Sequence, residues 1–244
     1  MTTRINIGTP TQYDFALPRV RHELSRPFLP EGGGRLLDFG CGNGANTVLY
    51  ADEFASIDGV DVEQERVDEA TAAAADLGID NVTYRTYDGD LLPFDDETFD
   101  HLTSYEVLEH TNDDAASLAE IRRVLRPGAA ITISVPNKWY LMETHGFDLP
   151  PSWMKWNRVP FLSWLPTSVH ERYAQARIYS KRRILDLLDA SGFDVLAHDY
   201  VMPPFDKVQR PAVKRSLDRT FTAIERSPLR VVGVAHFIAA RKRA

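Results

Sequence analysis

Three closely spaced glycines and a nearby aspartate stand where a nucleotide-type ligand could be held. Residues 36–47 read LLDFGCGNGANT, so an apolar run containing Asp38 passes directly into Gly40, Gly42 and Gly44. Glycine adopts backbone conformations that other residues avoid, and it lets backbone N–H groups approach a ligand closely. The spacing G-x-G-x-G differs from the dinucleotide pattern G-x-G-x-x-G, so the loop by itself leaves the cofactor open.

A second acid, Asp61, follows Gly40 by twenty-one residues and ends the second predicted strand. A carboxylate in that position accepts hydrogen bonds from ribose hydroxyls in more than one class of cofactor. Strand, glycine loop, helix and acid in this order predict a cofactor site rather than a purely structural turn.

The segment EVLEH at 106–110 carries the next group of residues that could do chemistry. Glu106, Glu109 and His110 are spaced i, i+3, i+4, which predicts that they share one face of a helix. Such a set could bind a divalent cation that lowers the pKa of a hydroxyl acceptor, or His110 could act as a base that Glu109 orients. A third interpretation, in which Glu109 and His110 only cap a turn, stays open.

Alternating strands and helices must position these residues. The apolar runs predict strands at 35–39, 56–61, 81–87, 99–105 and 129–136, with helices between them at about 44–52, 63–77 and 113–125. This alternation is typical of a doubly wound parallel sheet. We expect one domain over 1–244, with an N-terminal helical cap at 1–34 and, near the C-terminus, a helix at 180–190, a strand near 195–200, a helix at about 207–225 and a last strand at 231–240.

Residues 137–178, called the lid below, interrupt the alternation. They contain all four tryptophans and a local excess of basic residues in an acidic chain. Aromatic faces suit a sugar ring, a quinone or a lipid tail, and guanidinium groups suit a carboxylate or phosphate. Most of the tryptophans are expected to form the core of the lid. The candidate acceptor-binding residues are Arg158, Arg172 and Arg177.

Composition excludes several classes of protein. The chain has 28 basic and 35 acidic residues and a net charge of −7, so it lacks the basic footprint of a nucleic-acid-binding protein. Its single cysteine, Cys41, rules out an internal disulfide and fits a reducing compartment. We find neither an apolar run long enough to cross a membrane nor a signal peptide, which predicts a cytoplasmic protein without a transmembrane segment.

Two further segments complete a set of motifs, YDGDLLPFDDETFDHLTSYEVLEH at 87–110 and RVLRPGAAITISVPN at 123–137. Residues 35–137 resemble the class I S-adenosylmethionine-dependent methyltransferases, most of all the subgroup that includes the ubiquinone-biosynthesis O-methyltransferases. The resemblance implies an α/β, Rossmann-like, doubly wound sheet of seven strands, mostly parallel with an antiparallel last strand. It also implies S-adenosyl-L-methionine as the cofactor. A divalent metal stays open, because some relatives with the Glu-x-x-Glu-His pattern use one.

The resemblance gives the first half of the site its roles. Asp38 and the backbone of Gly40, Gly42 and Gly44 would hold the amino and carboxylate groups of the methionine moiety. Asp61 would accept hydrogen bonds from both ribose hydroxyls.

It assigns the second half in the same way. Val62 would lie against the adenine, and Asp88 would accept a hydrogen bond from the adenine amino group beside the backbone of Gly89. Tyr105 and Glu106 would face the sulfonium and the acceptor.

A looser resemblance, carried by VPNKWYLMETHG and HERYAQARIYSKRRILDLLDASGF, is to methyltransferases of archaeal surface-glycan pathways. It implies glycan biosynthesis within protein N-glycosylation, with a uronic-acid carboxylate of a lipid- or nucleotide-linked sugar as the acceptor and no need for a base. Two alternatives stand beside it: O-methylation of a quinone-like phenol, and a cofactor-binding pseudoenzyme that serves as a scaffold. The motifs of nucleic-acid amino- and C5-methylating enzymes are missing, so no nucleic-acid partner is expected.

Overall fold

A single seven-stranded sheet organises the protein. The computed structural model describes residues 12–13, 15–148, 156, 159–206 and 208–243. The strands are β1 (Arg35–Phe39), β2 (Ser56–Asp61), β3 (Val82–Thr86), β4 (Phe99–Tyr105), β5 (Leu125–Pro136), β6 (Phe193–Val201) and β7 (Ala235–Lys242). Their order is β3-β2-β1-β4-β5-β7-β6, and only β7 runs antiparallel to its neighbours. The predicted Rossmann-like sheet with an antiparallel last strand is confirmed.

Helices cover both faces of this sheet, as short parallel strands require. They are α1 (Ala16–Ser25), α2 (Gln64–Asp76), α3 (Asp114–Val124), α4 (Thr167–Tyr173), α5 (Lys181–Ala190) and α6 (Pro211–Glu225). Side chains cap two of them at the N-terminus. Asp113 accepts hydrogen bonds from the amides of Ala115 and Ala116, and Ser180 accepts one from the amide of Arg183. No helix in the described ranges is both long and apolar enough to span a bilayer.

The central strands are buried on both faces, which explains their unbroken apolar sequences. Leu36 and Leu37 are adjacent in β1, so their side chains point to opposite faces, and both are fully buried. Leu37 belongs to the cluster that packs against α3 and α5, and Leu36 belongs to the cluster beneath α1. The sheet is therefore the middle layer of three.

Two predicted boundaries are wrong. The helix expected at 44–52 is a single 3₁₀ turn at Thr47–Tyr50, which side-chain bonds hold close to the sheet: Thr47 donates to Asp38, and the Tyr50 hydroxyl bonds that of Tyr105. The last strand begins at Ala235 rather than 231, because Pro228–Val232 forms another 3₁₀ turn with proline at its first position. β1, β2 and β4 begin and end at the predicted residues, and the other strand ends differ from the predictions by at most four residues.

The described part of the lid doubles back on itself through isolated bridges, Asn137 with Tyr179 and Phe147 with Ala174. Its buried centre is not made of tryptophan, contrary to the sequence prediction. Trp139 and Trp164 pack edge to face and are each 43% exposed, whereas Glu143 and His170 are buried. Trp156 is partly buried, and the buried apolar side chains of the described part of the lid are Phe147, Ala176 and Ile178. Trp153 lies outside the described residues.

Candidate functional site

The glycine loop, residues 40–44, leaves the end of β1 in a conformation that only glycine adopts easily. Gly40, Gly42 and Gly44 have φ angles of 76°, 53° and 83°. A Cβ on Gly40 would also lie 2.3 Å from a methyl carbon of Val107. The amides of Gly40 and Cys41 both donate to the carbonyl of Val60 at 2.9 Å, which fixes the loop to β2.

Asp61 lies against this loop, as its place at the end of β2 predicts. One carboxylate oxygen accepts a hydrogen bond from the amide of Gly42 at 2.9 Å, and the other accepts one from Glu63 at 3.1 Å. Each oxygen retains a lone pair, so the group can also accept hydrogen bonds from a diol. Ribose binding by Asp61 stays a prediction.

Asp38 is buried beneath the loop and is already engaged by protein groups. The hydroxyls of Thr47 and Thr103 donate to its two oxygens at 2.5 and 3.0 Å. Burial raises the pKa of Asp38 to about 6 despite these hydrogen bonds. Through these two hydrogen bonds, Asp38 connects β1 to β4 and to the turn that follows the loop. The predicted contact with the methionine moiety remains untested.

The residues predicted to bind adenine lie close together, just beyond the end of β2. Val62 is 43% exposed, and a Cβ built on Gly89 would lie 3.5 Å from its side chain, so the two residues face each other. Asp88 accepts hydrogen bonds from the amides of Asp90 and Leu91 with one oxygen, and these bonds lower its pKa. Asp88 is thus a turn carboxylate with a second oxygen available, and its role toward adenine stays a prediction.

Tyr105 and Glu106 diverge at the end of β4. The Tyr105 hydroxyl is buried and bonds those of Tyr50 and Thr132, so it points away from the loop. Glu106 has a φ of 60°, and its carboxylate accepts a hydrogen bond from Ser134 at 2.5 Å. The predicted helical face of Glu106, Glu109 and His110 is therefore wrong, because the backbone at Glu106 is left-handed and the next residues form only a 3₁₀ turn.

Arg21 is a site residue that sequence reasoning missed. It lies on the inward face of α1, is 3% exposed, and places Nη2 3.1 Å from Glu106. Its guanidinium covers the ring of Tyr105 at 5.4 Å, and its Nε has no hydrogen-bond partner in the described part of the chain. A buried, incompletely paired cation is costly, so this group is suited to a carboxylate ligand. The sequence did contain a signal for it. Arg21 follows Pro18 by three residues and precedes Ser25 by four, so a charged side chain stands on the face of the helix that turns inward.

Glu109, His110 and His145 converge on one point, and we call them the Glu–His–His cluster. Their ligand-type atoms all lie within 4.8 Å of one another. The Nε2 atoms of His145 and His110 lie 3.6 and 3.9 Å from Glu109 Oε1. Neither oxygen of the fully buried Glu109 has a hydrogen-bond partner among the described residues, and burial raises its pKa well above the usual range. His145 lies in the lid, so its spacing from the EVLEH segment could not have revealed it.

A buried pair within the lid supports His145. Glu143 and His170 are hydrogen-bonded at 2.6 Å, and the other oxygen of Glu143 accepts the amide of His145 at 3.0 Å. Burial acts to raise the pKa of Glu143, but the hydrogen bond with His170 and the His145 amide together lower it. The Thr144 hydroxyl bonds Nδ1 of His145 at 2.9 Å, which leaves Nε2 directed at Glu109.

The predicted acceptor arginines are not equivalent. Arg177 directs its guanidinium at the backbone carbonyls of Leu108, Thr111 and Asn112, so it holds the turn that contains Glu109. Arg172 is exposed, with its guanidinium over the ring of Tyr173. Arg158 lies outside the described residues. Binding of an acceptor by these arginines remains a prediction.

The residues around the loop fit S-adenosylmethionine. Asp61 offers acceptors for a ribose diol, the exposed side chain of Val62 offers an apolar face for adenine, and Arg21 offers an incompletely paired cation for a carboxylate. The glycine loop lets a ligand come close to the backbone amides, because its glycines have no side chains that would intervene. Glu106 places a carboxylate beside Arg21, so the two side chains present opposite charges next to the loop.

Comparisons with known proteins agree with this geometry. The family model described as a methyltransferase domain matches residues 37–133. The ubiquinone biosynthesis O-methyltransferase of Cereibacter sphaeroides is 27% identical over 188 residues, 76% of this chain and 71% of the relative. The O-methyltransferase resE of Aspergillus sclerotiorum is 32% identical over 150 residues, 57% of this chain and 56% of the relative.

A solved structure extends the likeness to nearly the whole fold. The S-adenosylmethionine-dependent methyltransferase of Mesorhizobium loti superposes with a TM-score of 0.63 at 20% identity, over 90% of this chain and 96% of that one. Motifs, loop geometry and fold thus agree: residues 37–133 form a methyltransferase domain, the chain has the fold of the class I S-adenosylmethionine-dependent methyltransferases, and S-adenosylmethionine is the cofactor.

Proposed function

We propose that this enzyme methylates a phenolic or quinol-type hydroxyl of a small acceptor. One observation carries the proposal: Glu109, a fully buried carboxylate that accepts no hydrogen bond from any described residue, faces two imidazoles beside the predicted cofactor site. An ordinary phenol titrates near pH 10 and is mostly protonated at neutral pH. A hydroxyl acceptor therefore needs a group that removes its proton or lowers its pKa.

The cofactor side supplies binding and alignment. Bound S-adenosylmethionine supplies an electrophilic methyl group on a sulfonium. Arg21 would hold its carboxylate, Asp61 its ribose hydroxyls, and Val62 with Gly89 its adenine. The acceptor oxygen would form the new C–O bond as the methyl–sulfur bond breaks, and the proton of the acceptor hydroxyl would pass to water, because the residues of the Glu–His–His cluster would be engaged as ligands. Alignment and exclusion of water by the lid would provide about 7–11 kcal/mol of the barrier reduction.

The cluster would hold a divalent cation rather than act as a bare base. Separations of 3.6 and 3.9 Å between Glu109 and the imidazole nitrogens are longer than hydrogen bonds and suit ligands that share one ion. Two imidazoles and a carboxylate suit Zn²⁺, Mn²⁺ or Fe²⁺. A cation in this place would lower the pKa of a hydroxyl bound to it.

The similarity to two proteins named O-methyltransferases supports oxygen as the acceptor atom. The name of the first relative also supports a quinone-like acceptor, which could carry a lipid tail. A uronic-acid carboxylate of a surface glycan has weaker support. Such an acceptor would require basic side chains of the lid to bind it, and the guanidinium of Arg177 already donates hydrogen bonds to backbone carbonyls. A pseudoenzyme that only binds the cofactor would not need the Glu–His–His cluster, so this alternative does not account for it.

The test follows labelled methyl transfer from S-adenosylmethionine to a hydroquinone, a catechol and galacturonic acid in parallel. We expect methylation of a phenol, and we expect Glu109→Gln to lower kcat by about 10²–10⁴ while the cofactor Kd is unchanged. Glu97→Gln, which alters a half-exposed carboxylate elsewhere, serves as the control. Methylation of the sugar acid alone, with Glu109→Gln silent, would overturn the proposal in favour of a carboxylate acceptor.

A further inference from the structure

The connection between β6 and β7 contains a helix that the catalytic site does not use. Unlike the other long helices, α6 has no buried residue. Its larger apolar side chains, Val213, Leu217, Phe221 and Ile224, recur at helical spacing and form one stripe. Phe221 contacts the ring of Phe205, and Leu217, Phe221 and Ile224 are partly buried whereas Val213 is exposed. The later part of the stripe therefore faces the body of the protein, and the opposite side of the helix faces solvent.

The solvent side of α6 is basic in an acidic protein. Residues 210–232 contain six basic and two acidic residues, whereas the rest of the chain contains 22 basic and 33 acidic ones. Arg215, Arg219 and Arg226 are four and seven residues apart in turn, which places them on one side of the helix. Within the described ranges none of the three forms an ion pair, although Lys214 and Arg230 do.

Exposed apolar side chains continue this surface beyond the helix. Leu229 is 62% exposed and Val231 is 42% exposed, in the turn that follows α6. Arg226 and Arg230 flank Leu229 in sequence. We call Arg215, Arg219, Arg226, Leu229 and Arg230 the basic face. Cations beside exposed aliphatic side chains are the composition with which proteins contact the interface of a charged bilayer.

The basic face lies at the same edge of the sheet as the catalytic site. β6 ends at Val201 and β7 begins at Ala235, which pairs with Pro136 at the end of β5. The connection between β6 and β7 is therefore at the carboxyl edge, where the glycine loop and Glu106 also lie. The side chain of Asn137, the first residue of the lid, donates to the carbonyls of Val231 and Gly233 at 2.8 and 2.7 Å.

We propose that the basic face binds a membrane surface that carries anionic headgroups, so that the lid opens toward the bilayer. Arg215, Arg219 and Arg226, which pair with no acid in the described part of the chain, supply the electrostatic attraction, at about 1 kcal/mol for each basic residue near such a surface. Leu229 adds the apolar contact that a headgroup layer accepts and a nucleic acid does not.

The experiment is cosedimentation of the full chain with phosphatidylcholine vesicles and with vesicles that also contain phosphatidylglycerol. We expect binding only to the anionic vesicles, and a loss of at least about tenfold in partitioning for Arg219→Glu/Arg226→Glu. Arg26→Glu/Arg182→Glu makes the same charge change at exposed positions elsewhere and should bind like the wild type. Leu229→Ser should weaken the binding that persists at high salt.

Circular dichroism and cofactor titration confirm that each variant is folded, and no turnover is needed, so the result is independent of the proposed acceptor. Absence of vesicle binding, equal binding to neutral vesicles, or equal loss in the control variant would overturn the proposal. A single-stranded oligonucleotide that binds the wild type more tightly than the vesicles, and is lost in the same double variant, would assign the basic face to nucleic acid instead.

Discussion

The cofactor side and the acceptor side of the site are built over different distances along the chain. On the cofactor side, Asp61 bonds Gly42 nineteen residues away, and both belong to adjacent strand ends. On the acceptor side, Glu109 meets His145 from the lid, thirty-six residues away. The contact between Asp61 and the glycine loop is therefore a property of two neighbouring βα units, whereas the acceptor side exists only after the lid has docked.

This difference predicts that the two sides can be disabled separately. A change on the cofactor side should weaken S-adenosylmethionine without altering the lid. A change on the acceptor side should stop turnover or loosen the lid while the cofactor still binds. The first three experiments below therefore measure both sides.

Metal removal should give the largest effect and should affect only the acceptor side. Exhaustive chelation is expected to lower turnover at least about 10²-fold, because the hydroxyl acceptor then keeps its proton. Calorimetry should show an unchanged cofactor Kd, and Zn²⁺ or Mn²⁺ should restore activity. His145→Ala should weaken binding of the added ion, whereas His198→Gln, a histidine outside the cluster, should not. Full activity after chelation would leave the cluster as a base.

Asp61→Ala should disable the cofactor side. Loss of two hydrogen bonds from ribose hydroxyls to a charged group costs about 3 kcal/mol, which weakens S-adenosylmethionine about a hundredfold. Hydrogen exchange of the lid should be unaffected. Asp76→Ala, at the exposed end of α2, is the matched control. Unchanged affinity in Asp61→Ala would remove Asp61 from the site.

Glu143→Ala should loosen the lid. It leaves His170 buried without its hydrogen-bond partner, at a cost of about 2–3 kcal/mol. Hydrogen exchange should accelerate in the lid but not in β1 or β2, and the cofactor Kd should remain the same. Glu171→Ala breaks a half-exposed ion pair with Arg183 and should cost less than about 1 kcal/mol. Equal acceleration in the two variants would mean that the buried pair is not what holds the lid.

Acid should destabilise the strands beside the lid through His236. Its Nε2 donates to the carbonyl of Tyr179, so the neutral ring accepts a hydrogen bond from His198 at Nδ1. Burial lowers the pKa of His236 from 6.5 to about 4. Between these values the unfolded chain binds a proton that the native protein does not, so stability falls as pH drops.

Denaturant unfolding at pH 7 and pH 5 should differ by about 2 kcal/mol from this residue. His236→Gln, which cannot titrate, should lose that part of the pH dependence. An unchanged slope in the variant would show that other groups carry the acid sensitivity.

Val62→Ala should give the smallest effect, again on the cofactor side. Removing two methyl groups from the proposed adenine contact should cost about 1 kcal/mol and weaken the cofactor about fivefold. Val213→Ala, an exposed valine on α6, should have no effect on the cofactor. Unaltered affinity in Val62→Ala would mean that adenine does not contact this side chain.

Sequence alone determined most of the sheet and the contact between Asp61 and the glycine loop. β1 and β4 begin and end at the predicted residues, and Asp61 lies against the glycine loop as expected. Both follow from local rules: apolar runs become buried strands, and parallel strands bring their carboxyl ends to one edge. The motif around residues 35–137 reinforced these rules because its parts are contiguous.

Only the tertiary structure decided the acceptor side. The i, i+3, i+4 spacing grouped Glu106 with Glu109 and His110, but a left-handed φ of 60° turned Glu106 toward Arg21 instead. His145 took the third place in the cluster because the Glu143–His170 pair fixes its backbone, and no local pattern encodes that contact. Periodicity describes which residues share an element, whereas docking of α1 and the lid determines which elements meet.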